Sequence, residues 1–266
     1  MEDINVRNAG YSEALHRILS LHTEPIALKL VETGEELRYQ AMHPYRDMGI
    51  HLAMCQAFSL VRREKKALFC DKESEWCWNP LVAFGLCESG EGTEAFDIIS
   101  HYIAIKDNDA ARRFFASFPR LPYGKYRGVI ISPLCDCSYE PDVTLIYCDN
   151  NAQLRSALLA IKGVTGDIVT TQLDGIDSCA FSCVPAICSG EYRVTLPDVG
   201  EHERAMAGET EIILSVPLGR LGELTDSLAD LHNSGRGHAH LRRNLTYDFT
   251  QPPFYKDLFR IWGVEE

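Results

Sequence analysis

The stretch His51–Cys87, HLAMCQAFSLVRREKKALFCDKESEWCWNPLVAFGLC, carries four of the chain's ten cysteines, two of its three tryptophans and the basic knot Arg62-Arg63-Glu64-Lys65-Lys66. It constrains the fold because its periodicity changes along its length. Ile50, Met54, Ala57, Phe58 and Val61 recur at helical spacing, so a helix is expected over 50–64. Ala67-Leu68-Phe69-Cys70 reads as a short strand. Trp76-Cys77-Trp78-Asn79-Pro80 then leads into a second helix to about Phe84, with Gly85 and Gly90 marking its end. The cysteines therefore fall on different elements, and only the tertiary fold can bring together any that share a site.

Two of these positions carry chemistry. His51 and Cys55 stand four apart on the expected helix, so both can face one neighbouring spot; a helix-start histidine bonded to backbone is the competing reading of His51. Cys77 sits at a helix start, where the helix dipole favours thiolate, and the flanking tryptophans would screen it from water.

No apolar segment follows Met1-Glu2-Asp3, and no apolar run approaches the roughly 18 residues that span a bilayer. The expectation is a cytoplasmic protein without a membrane partner. Disulfides are rare in a reducing compartment, so ten cysteines there point to free thiols, metal ligation or redox chemistry. Cysteine is also a small hydrophobe, and at least half of the ten are expected to do nothing but pack. The net charge of -12 repels phosphate backbones and disfavours nucleic acid, while local cations can still hold a small anion. With 266 residues, 45% apolar and 24% charged, the chain is long enough for one large domain or two small ones.

Along the rest of the chain, residues 8–22 read as an amphipathic helix stopped by Pro25. Ile26 to Val31 is a buried strand with Lys29 in its middle. An unpaired ammonium is costly there, so Lys29 is expected either to bind an anion or carboxylate or to snorkel from an edge strand. Residues 93–118 hold two short helices, and Pro119–Gly124 is a loop and a candidate subdomain boundary. Gly128–Ser132 and Val143–Tyr147 are strand-like, with Cys135 and Cys137 facing one way on extended backbone between them. Asn150 or Asn151 caps a helix to about Ile161, and Ile168-Val169-Thr170 follows as a strand. Cys179 and Cys183 share a helix face, Pro185 interrupts that helix, and Cys188 lies beyond the break. Arg193 falls on a strand; Glu211–Val216 is another, and Leu218–Leu231 a last amphipathic helix. The expected fold is a single layered domain over residues 1–266, α/β or α+β, in which a helical, cysteine-bearing first half packs on a β-α-β second half.

No GxGxxG or Walker A loop is present, nor HExxH, GxSxG or the closely repeated CxxC of ferredoxins. Several short segments do occur together in a recognisable order: Pro25-Ile26-Ala27-Leu28-Lys29-Leu30, Met54-Cys55-Gln56-Ala57, and Cys77 followed by Gly85-Leu86. They continue with Pro133-Leu134, Glu140-Pro141-Asp142-Val143, Cys179-Ala180, and Cys188-Ser189-Gly190 with Arg193. This set resembles the prokaryotic family called domain of unknown function 169 and covers most of residues 11–231. The resemblance implies that Cys55, Cys77, Cys179 and Cys188 are to be separated from the other six cysteines. The chain departs from the family pattern after Cys188, where the arginine lies one residue farther on, and its tail from Gly235 does not map onto the pattern.

The leading functional expectation is an iron–sulfur protein with a 4Fe-4S cluster on Cys55, Cys77, Cys179 and Cys188. Four ligands would favour electron transfer or structure. Three would leave an iron open to a hydroxyl or carboxylate, as in a lyase of the dehydratase kind. Lys29 and His51 are the candidate catalytic groups, and Lys29, Arg193 and Arg236 the candidates to hold a small anionic metabolite. A homo-oligomer is left open. The alternatives are a metal-free small-molecule binding or redox-sensing domain, a thiol-nucleophile enzyme pairing Cys77 with His51, and mononuclear zinc on His238 and His240 with a cysteine.

Overall fold

The computed structural model describes residues 3–88, 94–102, 105–236 and 252–263. His238 and His240 and the Gly90 helix end lie outside them. Asp3 caps α1 (Ile4–Leu19) by accepting from the Asn5 amide, and Ser20 ends it in the left-handed region. Strand β1 (Ile26–Glu32) follows, then α2 (Pro44–Met48), α3 (Met54–Glu64), β2 (Leu68–Asp71) and α4 (Trp78–Ala83). Next come α5 (Glu94–Tyr102), α6 (Asn108–Ser117), β3 (Tyr126–Pro133) and β4 (Val143–Cys148). Asn150 caps α7 (Asn151–Thr165) by accepting from two amides. The order closes with α8 (Ser178–Ser189), β5 (Arg193–Thr195), α9 (Val199–Arg204), β6 (Ile212–Pro217), α10 (Leu221–Asn233) and α11 (Pro253–Trp262).

The strands form one open sheet in the order β2-β3-β1-β4-β6-β5. Every pairing is antiparallel. Side chains alternate across the sheet, and each face is covered by helices. Ile26, Leu28 and Leu30 of β1, with Val143, Leu145 and Tyr147 of β4, join the core under α3, α4 and α8. Ala27 and Val31, with Ile146 and Cys148, join the opposite core under α1, α7 and α10. Cover on both faces is why β3 and β4 are almost continuously apolar rather than alternating.

The mixed helix–strand class agrees with expectation, but the division into halves does not. The first-half strands β1 and β2 both pair with β3, so the sheet draws on both sides of Pro119–Gly124. The expected strand at Ile168-Val169-Thr170 is absent; that segment joins no ladder, and the unit after β4 is helix–helix–strand. Cys135 and Cys137 do not share a face, because Leu134–Asp136 is a 3-10 turn that buries Cys137 and leaves Cys135 half-buried.

Gly128 fixes the close approach of β2 to β3. A Cβ there would stand 2.6 Å from the Phe69 ring and 2.8 Å from the Cys70 carbonyl oxygen. The oxygen belongs to the ladder and cannot yield, so Gly128→Ala is expected to destabilise by about 1–3 kcal/mol in urea denaturation.

Candidate functional site

Four helix starts meet at one end of the sheet face that carries α3, α4 and α8, and side chains tie them together. The segments entering α3 and α4 lie side by side, through a parallel bridge between Leu52 and Glu75. The Glu75 carboxyl accepts from the backbone of Cys77, Trp76 and Met54, which joins the two starts. Gln56 takes the Ala53 amide at 3.0 Å and the Trp76 indole at 3.1 Å. Asn79, on α4, donates to Asp177 at the N-cap of α8 and accepts from the Cys179 thiol at 3.2 Å. Asp198 takes the Ser178 amide of α8 at 3.0 Å and the Glu201 amide of α9 at 2.8 Å.

This stapling brings three distant cysteines to one place. Cys55 is the second residue of α3, Cys77 the N-cap of α4 and Cys179 the second residue of α8. Cys77 packs on the small cluster of Ala53, Cys55 and Ala205, and Cys179 feels both Cys77 and Cys55. Burial pushes the Cys55 thiol up to about 12, against the pull of Arg204. It pushes Cys77 up to about 11 and Cys179 well above the ordinary thiol range. Asp198 pushes all three the same way, being a negative neighbour. Without a metal these are protonated thiols, the opposite of an activated nucleophile, which counts against a Cys77–His51 enzyme.

The other sequence candidates lie elsewhere. Cys188 was expected beyond a helix break, but α8 runs unbroken through Pro185. The proline only deprives the Phe181 carbonyl of its amide partner. On a continuous helix, nine residues place Cys188 about 13.5 Å along the axis from Cys179 and on the opposite side. It is exposed there. His51 is not on α3, which starts at Met54 after an extended segment; its ring stacks on Tyr45 at 4.7 Å. Lys29 alternates with Leu28 and Leu30, so it points from the face opposite the thiols and acts on the Asp142 carboxyl. Arg193, near the far end of α8, donates to Thr170 and Ser189 and lines a cavity of about 420 Å³. Arg236 follows α10 and donates to Ser234 at 3.3 Å.

The cation at the thiols is one that no sequence signal marked. Arg204, at the end of α9, acts on Cys55 and Cys77 and lies over the Trp76 ring at 5.2 Å. Asp198 was legible as the cap in Pro197-Asp198-Val199, and Asn79-Pro80 as a helix entry, but neither pattern points to a site.

Among the described residues, the His, Cys, Asp and Glu ligand atoms that gather within 4.8 Å of one another belong to His43, Asp71 and Glu73. They need no ion: His43 pairs with Asp71, and Arg46 pairs with Glu73. The three thiols are spaced more widely than that. A single tetrahedral metal with bonds of about 2.3 Å would hold its sulfurs roughly 3.8 Å apart, whereas a cluster spreads its ligands over several irons.

The buried acids make stability depend on pH from both sides. Burial raises Glu201 to about 7 from its ordinary 4.5, against hydrogen bonds from Ser178 and Tyr147. A carboxyl raised on folding stabilises below its unfolded pKa and loses that contribution as pH rises through the folded value. Burial likewise pushes Glu24 up, but His16 and Ser12 hydrogen-bond its ionised form and hold it at about 2. Its contribution is present above 4.5 and lost as pH falls towards about 2. The melting temperature of metal-free protein is therefore expected to fall from about pH 5 to about pH 8 and again below about pH 4, and Glu201→Gln should flatten the upper limb.

The model of the family called domain of unknown function 169, described as an uncharacterised ArCR family, matches residues 14–227. No curated protein and no solved structure matches the chain. No helix among the described residues is long and apolar enough to cross a membrane.

Proposed function

The chain belongs to the domain of unknown function 169 family, and from that premise we propose that Cys55, Cys77 and Cys179 hold an iron–sulfur cluster at which a small anionic metabolite is bound. The observation that carries this reading is the meeting of three thiols from segments up to 124 residues apart, each at or within the first two residues of a helix. Helix starts favour negative charge, so thiolates released from their protons by metal find partial positive charge already in place.

The residues fit such a group in number and in charge. Three thiolates are ligands of the right softness. Arg204 offsets part of their charge, and the widely spaced sulfurs suit a cluster better than one ion. With three protein ligands, a bound cluster supplies an open iron, a Lewis acid for a hydroxyl or carboxylate oxygen. The protein's own residues orient and shield. Glu75, Asn79 and Asp198 hold the helix starts in register, and Trp76 and Arg204 form the wall towards solvent. This supports a lyase of the dehydratase kind over simple electron transfer, which has no use for an open position.

Purification without oxygen, followed by iron and acid-labile sulfide assays, tests the reading. Brown protein with iron and sulfide in near-equal amounts is expected. Protein that stays colourless after reconstitution with iron and sulfide would leave the metal-free binding domain in its place.

A further inference from the structure

The group that recognises the metabolite is not among the lysine and arginines that the sequence marks. Lys29 serves the opposite face of the sheet, Arg193 sits at the far end of α8, and Arg236 follows α10. Arg204, by contrast, faces the thiols. It is exposed while Cys55 and Cys179 are buried, so a solute can reach it.

Its seat is built. The side chain folds back along α9 across Gly200, so closely that a Cβ on Gly200 would clash with Nη2. Trp76 flanks the guanidinium, and the indole of Trp76 is itself held by Gln56. Among the described residues no carboxylate closes an ion pair with Arg204, although Asp198 lies near enough to act on it. A planar fork of donors, placed on one side by an aromatic ring and a glycine, has its remaining donors free for a ligand.

We propose that Arg204 binds the carboxylate of a small hydroxy acid, holding it over the three thiols with its hydroxyl turned towards them. The proposal rests on the iron–sulfur reading and names the substrate class for that site. The charge around Arg204 selects the class. One guanidinium matches one carboxylate in a paired, two-bond contact. The neighbouring Asp198 disfavours a dianionic phosphate, which a single cation does not neutralise. The hydroxyl is needed because a carboxylate engaged by both oxygens at Arg204 leaves a further oxygen to be supplied to an open iron.

The experiment is calorimetric titration of anaerobic, reconstituted protein with the monocarboxylic hydroxy acids glycolate, lactate and 3-hydroxybutyrate, and separately with inorganic phosphate. Iron and sulfide are assayed on each sample. At least one hydroxy acid is expected to bind the unsubstituted protein more tightly than phosphate does. Compared at equal iron content, Arg204→Gln should weaken that binding at least about tenfold, and Arg204→Lys should recover part of it. Gly200→Ala keeps the charge but fills the seat, and should weaken binding as Arg204→Gln does. Iron-loaded protein that binds none of the three acids, prefers phosphate, or binds equally well in Arg204→Gln overturns the assignment and leaves the cluster reading standing. Absence of iron and sulfide from the unsubstituted protein overturns both.

Discussion

Serine at Cys55, Cys77 or Cys179 is expected to abolish cluster uptake, each on its own, while Cys188→Ser retains the full iron and sulfide content. The first three thiols share one site and the fourth lies half a helical turn round and about 13.5 Å along α8. Cluster assembly is coupled to folding, so the three site variants should also lose solubility, and the metal-free fraction should melt lower than loaded protein. Cys87, half-buried beyond α4, is the control at which serine changes nothing. Full metal in any of the three site variants would remove that residue from the ligand set. Loss of metal in Cys188→Ser would require α8 to open at Pro185 when loaded, against its unbroken course from Ser178 to Ser189.

Arg62→Met is expected to remove about 3–5 kcal/mol of folding stability, a large share of the roughly 5–15 kcal/mol a domain has. Arg62 is 2% exposed and its guanidinium meets both carboxylate oxygens of Glu211, at 2.6 and 2.9 Å. It also lies 4.0 Å from the centre of the Tyr147 ring. Methionine keeps the stem's volume but leaves the Glu211 charge with only the Gly208 amide and the more distant Arg63, at 3.9 Å. The double variant Arg62→Met/Glu211→Met should recover most of the loss, because an apolar pair of similar volume replaces an ion pair that gained little over its own desolvation. Urea denaturation of the four proteins closes the cycle. A single-variant loss below about 1 kcal/mol would mean that Glu211 finds water or another cation once Arg62 is gone.

The pair also bears on the site. Tyr147 donates to Glu201, and Ser178 donates to the same carboxyl at 2.7 Å. Arg62 on α3 is thus linked through Tyr147 to the starts of α8 and α9. Loosening it should lower the metal content of partly loaded protein before it unfolds the chain.

Local patterns in the sequence were enough to place most elements. Apolar runs at Ile26–Val31 and Val143–Tyr147 announce strands buried on both faces, and Asn150 and Gly166 bound α7 by the chemistry of caps. The family resemblance singled out Cys55, Cys77, Cys179 and Cys188, of which the fold brings the first three together, whereas Cys70 and Cys148 lie buried in the two cores. Periodicity failed where tertiary contacts override local preference. Ile168-Val169-Thr170 has the residues of a strand but finds no partner ladder, and α8 passes Pro185 because burial of Cys179, Cys183 and Val184 holds the helix together.

The site itself belongs to the tertiary structure. Whether a thiol near residue 55 meets one near residue 179 depends on hydrogen bonds between helix starts, made by Glu75, Asn79 and Asp198, that no short window contains. The same holds for Arg204. A basic residue at the end of a short helix is ordinary in sequence, and only the stacking of α9 beside α3 sets it against Cys55. Periodicity and caps report the energetics of neighbours along the chain; ligand sets and charge balance are energies between elements, and those exist only once the elements have packed.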